Sequence, residues 1–139
     1  MKRLVSILMA ASAAFSSATA QTISVVYTTD VHGAVFNYDF VHDTIATYSI
    51  ANVYSYVSAV RDTSKNVILL DNGDFLQGSP AVYYYNNVDT AGINVMARIF
   101  NYMKYDAVCV GNHDIEARHR VYDKVAKEIK APVLSANIK

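Results

Sequence analysis

Cysteine, long apolar runs and an excess of charge are all scarce in this chain of 139 residues, and each shortage closes off a class of protein. A single cysteine, Cys109, cannot form an internal disulfide. It lies in the apolar run YDAVCV, where it reads as a small core residue. No apolar stretch reaches the roughly 20 residues that a membrane-spanning helix requires. The best candidate, LVSILMAASAAF, is too short and follows Lys2 and Arg3. With SSATA behind it, residues 1–20 have the charged, apolar, small-residue order of a secretory signal peptide, with cleavage after Ala20. Export without disulfides fits a bacterial periplasm or cell surface, with no stable membrane insertion. Without Lys2 and Arg3, ten basic side chains face twelve acidic ones. That balance gives no long-range pull towards a nucleic-acid polymer.

No repeat and no low-complexity linker interrupts residues 21–139, so a single core is expected. ISVVYT (23–28), NVILLD (66–71), YDAVCV (105–110) and PVLSA (132–136) read as strands. NVILLD is continuously apolar, the pattern of a strand buried on both faces. Helices are expected over 44–62, 89–104 and 115–130. The first carries Ile45, Tyr48, Val53, Tyr56, Val57 and Val60 near helical spacing. The second is capped by Asp89 or Thr90 and striped by Ile93, Met96, Ala97, Phe100 and Met103. The third is highly charged, with Val121, Val125 and Ile129 on one face. Strands alternating with helices predict an α/β fold of parallel β-α-β units. Eleven tyrosines, Tyr83, Tyr84 and Tyr85 among them, fit a half-buried layer better than a carbohydrate site.

Ligands of such sheets bind at the carboxyl ends of the strands, and polar clusters stand at three of them. Asp30 and His32, two residues apart, can project to the same side. A carboxylate with an imidazole suits a borderline transition metal, although Asp-x-His alone is a common chance pattern. Asp74 follows the second strand between Gly73 and Gly78. It reads either as a turn residue bonding its own backbone or as a carboxylate bridging two ions. Asn112 offers a neutral carbonyl ligand to a second ion. His113 beside it can protonate a leaving alkoxide or stabilise phosphoryl charge. Either Asp114 or Glu116 can orient His113 and favour its protonated form.

Taken in order, Asp30-x-His32, Gly73-Asp74-x-x-x-Gly78 and Gly111-Asn112-His113-Asp114 resemble the calcineurin-like metallophosphoesterase signature. The flanks YTTDVHG, GDFLQGSP, YDAVCVGNHD and PVLSANI resemble its secreted 5′-nucleotidase and 2′,3′-cyclic-nucleotide phosphodiesterase branch. The resemblance implies two divalent metal ions (manganese, zinc or iron), with Asp30 and His32 on the first. It implies Asp74 as the bridge, Asn112 on the second ion and His113 as the transition-state histidine. In that branch the partner of this histidine lies three residues on, usually as Asp; here it is Glu116. The implied substrate is a small-molecule nucleotide.

The family completes its metal site with histidines further downstream and binds the nucleoside in a separate C-terminal domain. Here only His119 follows His113, on the charged helix and solvent-facing, and His42 matches no ligand position. Residues 21–139 are therefore expected to be the N-terminal part of a catalytic domain, inactive alone. Two other readings stay open: the same chemistry on a non-nucleotide ester, and a truncated, non-catalytic α/β protein.

Overall fold

A computed structural model describes residues 21–135. The expected signal peptide over 1–20 and the last residue of the fourth expected strand, Ala136, lie outside these residues. The fold is α/β, built on a four-stranded parallel sheet of β1 (Ser24–Thr28), β4 (Val67–Asp71), β5 (Ala107–Cys109) and β6 (Val133–Leu134), in that order across the sheet. A two-stranded antiparallel hairpin, β2 (Tyr38–Asp39) with β3 (Thr44–Ile45), follows β1. The helices are α1 (Ile50–Thr63), α2 (Pro80–Asn87), α3 (Val95–Met103), α4 (Asn112–Glu116) and α5 (His119–Glu128).

The four main strands fall where apolar β-branched runs placed them, and the helices differ in instructive ways. The first begins at Ile50, not at residue 44, because Ser49 caps it by accepting the Asn52 N–H. Residues 44 and 45 belong to the hairpin instead. Asp39 closes its turn by accepting the N–H groups of Val41 and His42. Val53 and Val57 of the expected stripe, joined by Ile50, pack against the core, while Ile45, Tyr48 and Tyr56 are exposed.

In the second helix Asp89 spends its carboxylate on the Gly92 N–H. The cap is Asn94, whose Oδ1 accepts from Met96 N while its Nδ2 donates to Asn86. The expected third helix is split into α4 and α5 by Arg118, which stands at φ 70°, outside helical geometry. α2 was not anticipated, although Ser79 and Pro80 form a start signal: Ser79 caps and Pro80 occupies the first turn.

Strand order follows chain order, so every crossover steps in the same direction. Right-handed crossovers taken in one direction set their helices on one face of the sheet. The single core cluster agrees: it holds Leu69, Val108, Phe100, Val57 and Val125 together. Pairing of Val25 with Ile68, Tyr27 with Leu70, Leu70 with Ala107 and Cys109 with Leu134 assembles the opposite face, which is apolar throughout. Among the described residues that face is uncovered; Tyr27 is 69% exposed and Ile68 37%. NVILLD is thus buried on one face, and Cys109 is a half-buried residue of the open face.

Leu69 and Ile68 are neighbours on opposite faces, which makes them a direct test. Leu69→Ala should cost about 2–5 kcal/mol, and Ile68→Ala under about 1 kcal/mol. Urea unfolding of both variants measures this. Equal losses would contradict a core built on one face.

Candidate metal centre

Beyond the ends of β1 and β4 the two chains stay zipped together by backbone bonds. Asn72 N donates to Thr28 O, Asp30 N to Gly73 O, and His32 N to Asp74 O, at 2.8–3.0 Å. These bonds carry Asp30, His32 and Asp74 into one neighbourhood, where their ligand atoms all lie within 4.8 Å of one another. All three residues have positive φ: 53°, 46° and 62° respectively. Asp, Asn and His are the L-residues that tolerate this region best. The backbone therefore turns sharply at each candidate ligand without requiring glycine there.

The third loop closes onto the second. Asp74 Oδ1 accepts the His113 N–H at 2.8 Å. Gly111 permits the contact, since a Cβ there would sit 2.1 Å from that same oxygen. Asn112 opens α4 one residue before the amide that Asp74 holds. Gly78 gives similar clearance to His32, since a Cβ at 78 would sit 2.8 Å from the His32 Cβ and 2.9 Å from its carbonyl oxygen.

Both histidines are oriented by partners. His32 Nδ1 lies 3.0 Å from the Gln77 carbonyl, which can only accept. Nδ1 therefore carries the proton, and Nε2 keeps the lone pair that a metal would need. Sequence reasoning missed Gln77, because a backbone carbonyl leaves no residue-type signal. His113 Nδ1 lies 2.9 Å from Glu116 Oε2, and this hydrogen bond raises the His113 pKa. Glu116, lowered in turn by His113, also receives the Gln77 amide at 3.4 Å. The His32 and His113 rings meet edge-on, 5.4 Å between centroids.

Of the two carboxylates open as partners for His113, Glu116 is the one beside the ring. Asp114 is 0% exposed and fully engaged elsewhere. It accepts the N–H groups of Asp74, Phe75, Leu76 and Gly111 at 2.8–2.9 Å. Its place is structural, beneath the second and third loops. The metal-capable cluster among the described residues contains neither His42 nor His119. His42 pairs with Asp39, and the His119 side chain is 92% exposed.

Asp71 is a further buried carboxylate that sequence reasoning did not single out. It accepts from Thr28 Oγ1 and from Gly73 N, and Thr28 Oγ1 also meets the Tyr105 hydroxyl at 3.0 Å. Burial pushes its pKa up to about 6, against the lowering effect of those bonds. Burial likewise takes Tyr105 up to about 12.

The donor set fits a divalent transition metal: two carboxylates and an imidazole with its tautomer fixed, converging at the carboxyl ends of parallel strands. This fold and site define a metallophosphoesterase-type protein. The chain belongs to the calcineurin-like phosphoesterase family, whose model matches residues 23–137. It is related to 5′-nucleotidases and 2′,3′-cyclic-nucleotide phosphodiesterases. It is 31% identical over 124 residues to the trifunctional nucleotide phosphoesterase protein YfkN of Bacillus subtilis, covering 84% of this chain and 8% of that one. Against human 5′-nucleotidase it is 30% identical over 129 residues, covering 88% of this chain and 21% of that one. It superposes on a putative 5′-nucleotidase from Staphylococcus aureus with a TM-score of 0.76 and 27% identity, covering 84% of this chain and 23% of that one. The chain thus spans a fifth or less of the length of many of its relatives.

Two stability tests follow. Asp114→Ala orphans four buried amides and should cost at least about 3 kcal/mol, whereas Glu116→Ala, at an exposed pair, should leave stability almost unchanged. For Asp71 the raised pKa means that the folded state keeps a proton that the unfolded chain releases. In metal-free protein its contribution is fully present below the ordinary pKa of 3.8 and is lost as pH rises to about 6. The loss is worth roughly 3 kcal/mol. Asp71→Asn should flatten that slope in urea titrations run between these pH values; an unchanged slope would assign it to other groups.

Proposed function

We propose that this chain is the metal-binding part of an exported dimetal phosphoesterase that hydrolyses nucleotide phosphate esters. The observation that carries the reading is the convergence of Asp30, His32 and Asp74 beside a histidine already paired with a carboxylate. Asp30 and the Nε2 of His32 would hold one divalent ion, Asp74 would bridge, and the Asn112 carbonyl would serve the second. Manganese, zinc and iron all suit these donors. Such a pair supplies Lewis acidity, neutralising phosphoryl charge and activating water near neutral pH.

The protein's own residues do the rest. Glu116 holds Nδ1 of His113 and favours the imidazolium, so Nε2 can hand a proton to the leaving oxygen. Asp114 keeps the loop that bears His113 fixed against the loop that bears Asp74. The remaining ligands would come from further along the catalytic domain of a longer chain and the nucleoside-binding surface from a separate C-terminal domain, and this part alone would be inactive. Export rests on the sequence order of residues 1–20. No helix among the described residues is long and apolar enough to cross a membrane.

In the full-length enzyme, His113→Ala should lower kcat by about 10²–10⁴-fold and leave bound metal unchanged. Asp74→Asn should lose metal, read by elemental analysis after dialysis. Equal metal loss in both would make His113 a ligand and overturn its role as proton donor. If His113 acts as an acid, kcat falls on the alkaline side as its proton leaves. Glu116→Gln removes the group that raises the His113 pKa, so that limb should move to lower pH. A limb that stays in place would assign the titration to another group.

A further inference from the structure

Asp71 ends β4 as a buried carboxylate to which the proposed chemistry gives no part. Aspartates are seldom fully buried unless paired, and here both oxygens are held by protein donors. Oδ1 accepts the Gly73 N–H at 3.0 Å, and Oδ2 accepts from Thr28 Oγ1 at 2.5 Å. Thr28 is the residue opposite Asp71 in the β1–β4 register. Its only hydroxyl proton is committed to Asp71, so the Tyr105 hydroxyl, 3.0 Å from Thr28 Oγ1, donates to it. The Asp71 carboxylate thus stands between the Thr28–Tyr105 pair and the backbone of the loop after β4.

The amide that Asp71 holds is a sensitive one. Gly73 stands at φ 97°, and a Cβ there would lie 2.4 Å from Gly111 N, so its turn runs hard against the loop after β5. The Gly73 carbonyl accepts the Asp30 N–H at 3.0 Å, and the next residue is Asp74, whose carbonyl accepts from His32 N. Gly73 is therefore held by Asp71 through its amide and holds Asp30 through its carbonyl, one residue before Asp74. An apolar side chain would be buried at less cost, but it could not fix this turn.

We infer that Asp71 is a positioning residue for the metal centre: through the Gly73 amide it sets the turn that brings Asp30 and Asp74 together. The inference rests on the metal-binding reading of Asp30, His32 and Asp74. Its test is the affinity of the full-length enzyme for manganese(II), measured by titration calorimetry beside urea unfolding of each variant. Asp71→Ala should weaken manganese binding about tenfold or more, as loss of a partner behind the ligands does. Asp71→Asn should recover most of that loss, because its Oδ1 can still accept the Gly73 amide and its Nδ2 can donate to Thr28. Leu69→Ala, in the core on the same strand, should destabilise the fold yet bind manganese as the parent does.

Full affinity in Asp71→Ala would overturn the inference. An equal loss in Leu69→Ala would do the same, since any weakening of the core would then suffice. A loss in Asp71→Asn as large as in Asp71→Ala would make the charge, not the hydrogen bonds, the agent, and the positioning role would fall. If Asp71→Ala does not fold, Thr28→Val decides: it keeps the side-chain shape and removes the donor to Oδ2. Weaker manganese binding by Thr28→Val is then the expected result, and undiminished binding the contrary one. Failure of the metal reading shows separately, as manganese held equally by the parent and by Asp74→Asn, and it would take this inference with it. Loss in Asp74→Asn beside full affinity in Asp71→Ala would overturn the positioning role alone.

Discussion

Four backbone amides from two loops converge on the carboxylate of Asp114, and the rest of the site depends on that convergence. A carboxylate removed from water loses several kcal/mol of hydration unless donors replace it. Here the donors are amides that would otherwise need partners of their own at the strand ends. Each side satisfies the other, and the outcome is geometric. Asp74, Phe75 and Leu76 are fixed relative to Gly111, so the loop after β4 and the loop after β5 move as one piece. Asp74 Oδ1 completes the clasp by taking the His113 amide.

Within that clasp, residue types serve backbone and chemistry together. The three candidate ligands Asp30, His32 and Asp74 occupy left-handed backbone, a conformation that costs an ordinary side chain of order 1–3 kcal/mol. Asp and His bear it better than most, and they are also metal donors. Glycine appears where approach, not charge, is the constraint: at Gly111 the Asp74 carboxylate occupies the space of a side chain. The clustering of strained turns at one sheet edge is itself a mark of a functional site.

Much of this was legible in the sequence. β1, β4 and β5 were visible because apolar β-branched runs are long and bounded by polar clusters, and those clusters fixed which sheet edge to inspect. The hairpin was hidden because Ile45 and Tyr48 happen to continue the helical spacing of α1; the Ser49 cap outranked that spacing. The α4–α5 break at Arg118 carries no glycine or proline to announce it. Gln77 escaped because it acts on His32 through a carbonyl that every residue possesses. Asp71 escaped because a strand-terminal aspartate is ordinarily exposed, and its burial follows from Thr28 and Tyr105 across the sheet.

The open sheet face ties these threads together. A parallel strand has no side intended for water, and the apolar run of β4 encodes two covered faces. Crossovers in one direction supply cover for only one of them. The strands that deliver Asp30, Asp74 and Asn112 are therefore braced from a single side among the described residues. Among the described residues, packing from above and below is therefore not what holds the three loops in register. That work falls to bonds made at the strand ends themselves: the Thr28–Asn72 and Asp30–Gly73 links, and the amides gathered by Asp114. Among the described residues, the candidate metal centre is braced by the bonds at its own strand ends.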